Sequence, residues 1–249
     1  MQHHPVVSRE EWLKARKAHL KNEKALTRMR DLVSAERRTL PWVKMEKEYI
    51  FDTPEGKKRL SDLFGENSQL IVYHFMWRWD LGQGCVSCSF FADHVDGANI
   101  HLASHDVTLV AISRGKLEDL VIYKRRLGWK FPLISSYGGD FNFDFGVSFT
   151  KEQLKGKVNY NYAMIDGADA FDELPGISVF YKDEKGDVFH TYSSYARGGD
   201  ILLGAFNFLD MTSKGRNEGQ IMGWVKRNDE YEPDGKSAAC CASEQRGAA

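Results

Sequence analysis

The sequence predicts an α/β domain built on a mostly parallel sheet, and three observations carry that prediction. Leu70-Ile-Val-Tyr-His-Phe-Met76 and Val107-Thr-Leu-Val-Ala-Ile-Ser113 are short unbroken apolar runs, the pattern of strands buried on both faces. Helical spacing follows each run, through Phe90, Phe91, Val95, Ile100 and Leu102, and then through Leu117, Leu120, Val121, Tyr123, Lys124 and Leu127. Cys85-Val-Ser-Cys88 stands where the first run gives way to its helix, across a glycine-bearing loop. Strands alternating with helices imply right-handed crossovers, and hence the parallel sheet.

Taken from the start, Ser8 with Glu11 is a capping-box signature, and helix formers continue to Pro41. Residues 1–41 are therefore expected to be a helical extension, with Trp12, Leu20, Leu26, Met29, Leu32 and Val33 at roughly helical spacing. Lys14, Arg16, Lys17, Lys21, Lys24, Arg28 and Arg30 make one face basic, which solvation explains more simply than anion or nucleic-acid binding. Such a helix packs either on the domain or on a second subunit, as in a homodimer; the sequence leaves both open.

A domain over 42–212 is expected to follow. Val43, Met45, Tyr49 and Phe51 suggest strand, Pro54-Glu-Gly56 a turn, and Leu60-Ser-Asp-Leu-Phe-Gly65 a short capped helix. After the two buried runs and their helices, the second closed by Gly128, Phe131-Pro-Leu-Ile134 reads as a short strand. Residues 135–149 form an aromatic, glycine-rich loop, and 150–174 an insertion with little periodicity. Ile177-Ser-Val-Phe-Tyr181, turned by Asp183-Glu-Lys-Gly186 into Val188-Phe-His-Thr-Tyr192, is a hairpin. Ile201, Leu202, Leu203, Ala205, Phe206, Phe208 and Leu209 make a last amphipathic helix, and 213–249 is expected to be a polar, largely disordered tail.

Bulk properties narrow the function. A length of 249 residues with 42% hydrophobic and 28% charged content is that of an ordinary globular protein. The formal net charge of -1 gives no global reason to expect nucleic acid or an anionic membrane as partner. No apolar stretch approaches the roughly 20 residues of a membrane span, and Met1-Gln-His-His-Pro-Val-Val lacks a secretory pattern, so a cytoplasmic location is expected. Four cysteines in so long a chain are not a disulfide framework.

The C-x-x-C pair then points to redox or metal chemistry. A helix N-terminus offers unpaired N–H groups and partial positive charge, which favour a thiolate at Cys85. Cys85 would be the exposed nucleophile and Cys88, one turn in, the resolving thiol. Two reduced core thiols are the plainer alternative. Zinc or copper on the two thiolates and a histidine is the other. His94 lies six positions past Cys88, about 240° round a straight helix and so off the cysteines' face. Cys240-Cys241 is a vicinal pair in the tail and a poor partner.

The order of elements, with C-x-x-C at the first strand–helix turn and a closing hairpin plus helix, resembles the thioredoxin fold. The front half, from Tyr49-Ile-Phe-Asp52 to the apolar strand, more closely resembles its peroxiredoxin branch. Closer still is a thioredoxin-like family catalogued as a domain of unknown function. Arg37-Arg-x-Leu-Pro-Trp-Val43, Tyr73-His-Phe-Met76, Asp140-Phe-Asn-x-Asp-Phe-Gly-Val-Ser-Phe149, Leu174-Pro-Gly-x-Ser-Val-Phe-Tyr-Lys-Asp183 and Phe189-His-Thr-Tyr-Ser-x-Tyr-Ala-Arg-Gly198 carry that likeness. The P-x-x-x-T-x-x-C motif of peroxiredoxins is missing, since Trp79-Asp-Leu-Gly-Gln-Gly-Cys85 has neither its proline nor its threonine.

The resemblance implies a thiol–disulfide oxidoreductase without cofactor, acting on a thiol or disulfide of a protein or small molecule. Thioredoxins place a cis-proline against the dithiol, for which Pro175 is the nearest counterpart, and a buried ionisable group near it, for which His74 is nearest. Trp77 and Trp79 are expected to form an apolar rim for the substrate. Copper held by Cys85, Cys88 and His190 is a second reading, since some thioredoxin-fold proteins bind copper in this way. A non-enzymatic dimeric module is the third.

Overall fold

The structure is a computed structural model that describes residues 4–169 and 171–231. The chain divides into two compact units, residues 1–42 and 43–249.

The first unit is one helix, α1 (Arg9–Arg37). Its start is the capping box expected from sequence: the Ser8 hydroxyl accepts the Glu11 N–H at 3.2 Å, and the Glu11 carboxylate accepts the Ser8 N–H at 3.0 Å. Glu10 and Glu11 in the first turn and Arg37 in the last complement the helix dipole.

The second unit begins with β1 (Val43–Lys44), the hairpin β2 (Ile50–Thr53) and β3 (Gly56–Arg59), and a 3-10 turn at Leu60–Phe64. The central strand β4 (Gln69–His74) leads into a small hairpin, β5 (Trp77–Arg78) and β6 (Gln83–Gly84). Helices α2 (Val86–Ala92) and α3 (Val95–Ala103) follow, then β7 (Val107–Ser113), α4 (Leu117–Arg126), β8 (Leu133–Ser135) and α5 (Phe141–Asp144). A side hairpin, β9 (Lys157–Tyr160) and β10 (Ala163–Asp166), precedes the long hairpin β11 (Gly176–Lys182) and β12 (Val188–Tyr195), and α6 (Gly204–Leu209) is the last helix among the described residues.

Eight strands form one sheet in the order β1-β12-β11-β4-β7-β8-β2-β3. Only β4, β7 and β8 run parallel; every other pairing is antiparallel. The expected mostly parallel sheet is thus a mixed one, because helical crossovers join only those three strands and tight turns join the flanking hairpins. A parallel pair extended on one side by an antiparallel hairpin, with C-x-x-C after the central strand, is the thioredoxin arrangement.

Alternation along β4 divides the core. Leu70, Val72 and His74 face a layer containing Phe51, Phe64, Phe141 and Phe180. Tyr73 and Phe75 share the other layer with Phe91, Leu120, Tyr123, Leu203 and Phe206, where the helices pack.

Several expectations change. The single helix carrying the cysteines is two, because the His94 N–H bonds back to Phe91 rather than Phe90. The loop 135–149 contains α5, one helical turn that puts Phe141 under the sheet. The insertion holds the β9–β10 hairpin, turned by Asn161 and Tyr162 at φ 52° and 62°; tyrosine is not a usual turn residue, so the signal is weak in sequence. The stretch 213–231, expected to begin a disordered tail, is packed: Val225 and Arg227 are buried, and Met222 and Trp224 lie against the core. The rest of the expected tail, with Cys240 and Cys241, lies outside the described residues.

Candidate active site

The path from β4 to α2 is built to aim one side chain. Past β4 the chain folds back on itself, with Trp77 paired to Gly84, so that the Cys85 N–H bonds the Met76 carbonyl at 3.1 Å. Gly84 is required at this close approach, since a Cβ there would come within 2.5 Å of the Phe75 ring. Cys85 is the N-cap of α2, and its carbonyl accepts from the N–H and hydroxyl of Ser89 at 2.9 and 2.8 Å.

The two thiols are unbridged and differ sharply in surroundings. Cys85 is half-buried, and its pKa falls from 9.0 to about 6. The Cys88 thiol donating to its sulfur is the main cause, overcoming the opposing effect of burial, and backbone N–H groups of Cys88 and Ser87 and the Arg78 guanidinium add to it. Cys88 is 1% exposed, and burial pushes its thiol well above the ordinary range. Tyr73, stacked on Phe91 at 3.9 Å, hydrogen-bonds Cys88 through its hydroxyl. A cavity of about 330 Å³ opens beside the pair, walled by Phe91, Leu174, Pro175, Ile177, Leu203 and Met222.

Two buried charged residues hold this turn. Glu173, 2% exposed, accepts the Trp77 N–H at 2.8 Å and the Trp79 indole N–H at 3.3 Å, with Arg114 at 3.6 Å. Burial raises its carboxyl from 4.5 to about 7. Arg227, 5% exposed, donates to the Gly84 carbonyl at 2.8 Å and the Tyr123 hydroxyl at 2.7 Å. Tyr123 in turn lies 2.8 Å from the Ser89 hydroxyl. Both residues were missed in the sequence, where an isolated Glu and Arg in low-periodicity stretches give no sign of burial.

The raised Glu173 carboxyl has a consequence for stability. Between pH 4.5 and about 7 the folded chain keeps a proton that the unfolded chain has released, so this group lowers stability as pH rises. Glu173→Gln keeps the acceptor for Trp77 and removes the titration. The difference in denaturation midpoint, variant minus parent, is expected to rise across that window and level off above it. A difference that stays flat from pH 4 to 8 would contradict this.

The residues singled out in the sequence separate. Cys85, Cys88 and Pro175 meet at the cavity, and the Pro175 peptide is trans, as are all those among the described residues. Trp77 is core rather than rim, edge-on to Tyr123 at 5.6 Å. Trp79 is exposed but lies outside the cavity lining, tilted against Tyr137. His74 points to the opposite face of the sheet, because positions 73 and 74 of a strand face opposite ways, and Tyr73 takes the place beside the dithiol. The His74 Nε2 is 2.9 Å from the Ser178 hydroxyl, which bonds Ser193 at 2.9 Å, which bonds His190 at 2.7 Å. Burial holds His74 down at about 3, so it stays neutral through the physiological range.

His190 therefore sits on the far face with His74, packed against Phe145, and does not complete a ligand set with the cysteines. His94 is also committed: its Nδ1–H donates to the Phe90 carbonyl at 2.7 Å and its Nε2 accepts the Ala205 N–H at 3.1 Å. Among the described residues, no group of three His, Cys, Asp or Glu side chains is gathered that could hold a metal ion. No helix among them is long and apolar enough to cross a membrane.

A family model described as "Bacterial protein of unknown function (DUF899)" matches residues 1–231. No curated protein matches the chain. Among solved structures, peroxidoxin BcpB from Mycobacterium tuberculosis is similar at 15% identity, covering 68% of this chain and 97% of that one with a TM-score of 0.43. Peroxiredoxin Q from Xanthomonas campestris is similar at 11% identity, covering 63% and 87%, with a TM-score of 0.40. A Chlorobium tepidum protein described as a thiol:disulfide interchange protein DsbE is similar at 14% identity, covering 66% and 94%, with a TM-score of 0.39.

Proposed function

The chain belongs to that bacterial family, and on the geometry of its dithiol we propose that it is a thiol–disulfide oxidoreductase cycling Cys85 and Cys88. The observation that carries this reading is the asymmetry of the two sulfurs: one reachable and lowered to about 6, the other sealed and raised.

In the reducing direction, the Cys85 thiolate attacks one sulfur of a substrate disulfide. That S–S bond breaks, one substrate thiolate leaves with the bonding pair, and a mixed disulfide remains. Cys88 then loses its proton and attacks the Cys85 sulfur, which releases the second substrate thiolate and closes the 85–88 disulfide. The chain has given up two electrons, and a second dithiol of its surroundings must return them. Tyr73 bonded to Cys88 supports the thiolate as it forms. Lowering the Cys85 pKa stabilises the reduced state, which makes the pair a better oxidant than an unperturbed dithiol.

Alkylation of the reduced protein tests the asymmetry. Iodoacetamide should modify Cys85 with a rate that rises to a plateau about a midpoint near pH 6, while Cys88 stays unmodified in the folded chain. Roughly nine-tenths of Cys85 is then thiolate at pH 7, against a few per cent for a free cysteine. A midpoint near the ordinary 8.5, or equal labelling of both residues, would overturn the reading.

A further inference from the structure

The cavity beside the sulfurs carries information about what reaches them. Its walls come from five places in the chain: Tyr73 and Met76 at the end of the central strand, the start of α2 as far as Phe91, Phe171 with Leu174 to Ile177 entering β11, the stretch from Ser194 to Leu203, and Ile221 with Met222. Nearly all of this surface is hydrocarbon or aromatic ring. Apart from the Cys85 sulfur, Arg197 and Asp200 are the charged lining residues among the described ones, and they pair with each other at 3.1 Å. Asp200 has a further partner in Arg216 at 3.3 Å.

A substrate bearing carboxylates or an ammonium group would lose water against these apolar walls, and beside the Cys85 sulfur the lining offers it only the Arg197–Asp200 pair among the described residues. The two strands that lead to the sulfurs offer an extended polypeptide no edge, because β4 lies between β11 and β7, and β11 between β4 and β12. The volume of about 330 Å³ is roughly twice the 150 Å³ of a cavity that holds one benzene. Space of that size, lined in that way, favours a compact apolar group.

We propose that the sulfur substrate of this dithiol is a small, uncharged organic disulfide, or the thiol derived from it, with an apolar substituent that fills the cavity beside Cys85. This rests on the oxidoreductase reading above and follows its electron balance, the substrate S–S bond taking the two electrons that the cysteine pair gives up. It excludes glutathione and protein disulfides as preferred partners.

The full chain, reduced beforehand, is tested in single turnover against 4,4′-dithiodipyridine, oxidised glutathione and insulin. Each rate is divided by that of dithiothreitol with the same disulfide, which removes intrinsic reactivity. The expected result is a ratio at least 100-fold higher for the neutral aromatic disulfide than for either of the others. Phe171→Glu, at an exposed position of the cavity wall, should reduce that preference about tenfold. Equal or higher ratios for glutathione or insulin would overturn the substrate class and leave the redox reading standing. Failure to reduce any of the three, with free thiols confirmed at the start, would overturn both.

Discussion

Cys85→Ser is expected to lower disulfide reduction by more than about 10³-fold, because it removes the nucleophile itself. Cys88→Ser is expected to behave differently. Cys85 remains reachable and can make one attack, but nothing inside the chain can then displace the substrate from it. The variant should release one substrate thiolate per chain in a single burst and carry the other half as a mixed disulfide, visible as added mass that dithiothreitol removes. The hydrogen bond from the Cys88 thiol is the largest contributor to the lowered Cys85 pKa. A serine hydroxyl can donate in its place, so the alkylation midpoint of Cys85 should stay well below that of a free cysteine. Steady turnover by either single variant, or a mixed disulfide trapped on Cys88 in Cys85→Ser, would refute the assignment of roles.

Arg227→Met is expected to cost about 2–4 kcal/mol of stability. It leaves the Gly84 carbonyl and Tyr123 hydroxyl buried without their cationic donor, and frees Glu230 from its 2.8 Å ion pair. For a chain of this size that is a fall of roughly 5–15 °C in melting temperature. The same substitution should disturb the reactive turn, since Arg227 grips the residue before Cys85 and, through Tyr123, the Ser89 hydroxyl bonded to the Cys85 carbonyl. The alkylation profile of Cys85 should therefore broaden or shift even below the melting transition. An unchanged melting curve would mean that residues 213–231 are the loose tail their composition suggests, and that the packing of Val225 and Arg227 adds nothing.

What could be read from the residues and what could not separates cleanly along β4. Its apolar run, the C-x-x-C after it and the helical spacing beyond it identify a buried strand, a closely spaced cysteine pair and the fold that joins them. The same run gives no sign of which face the dithiol would meet, because a strand buried on both sides has no polar face to set its orientation. Tyr73 and His74 exchange roles on that single ambiguity. His74 is the reasonable candidate for a proton carrier by chemistry, yet it ends in a serine-linked chain with His190 on the other layer. Trp77 is a reasonable rim residue by type, yet the β5–β6 hairpin turns it inward.

By itself, then, the sequence determined those features that nearest neighbours in the chain decide: helix caps, strand runs, the hairpin of β11 and β12, and two sulfurs spaced to react with each other. Only the tertiary structure decided which sulfur is sealed, that Glu173 and Arg227 come from distant segments to hold the turn, and that the walls of the cavity beside Cys85 are mostly apolar. The physical reason is range. Capping and periodicity act over three or four residues, whereas burial, and the pKa shifts that follow from it, depend on surfaces brought together from opposite ends of the domain.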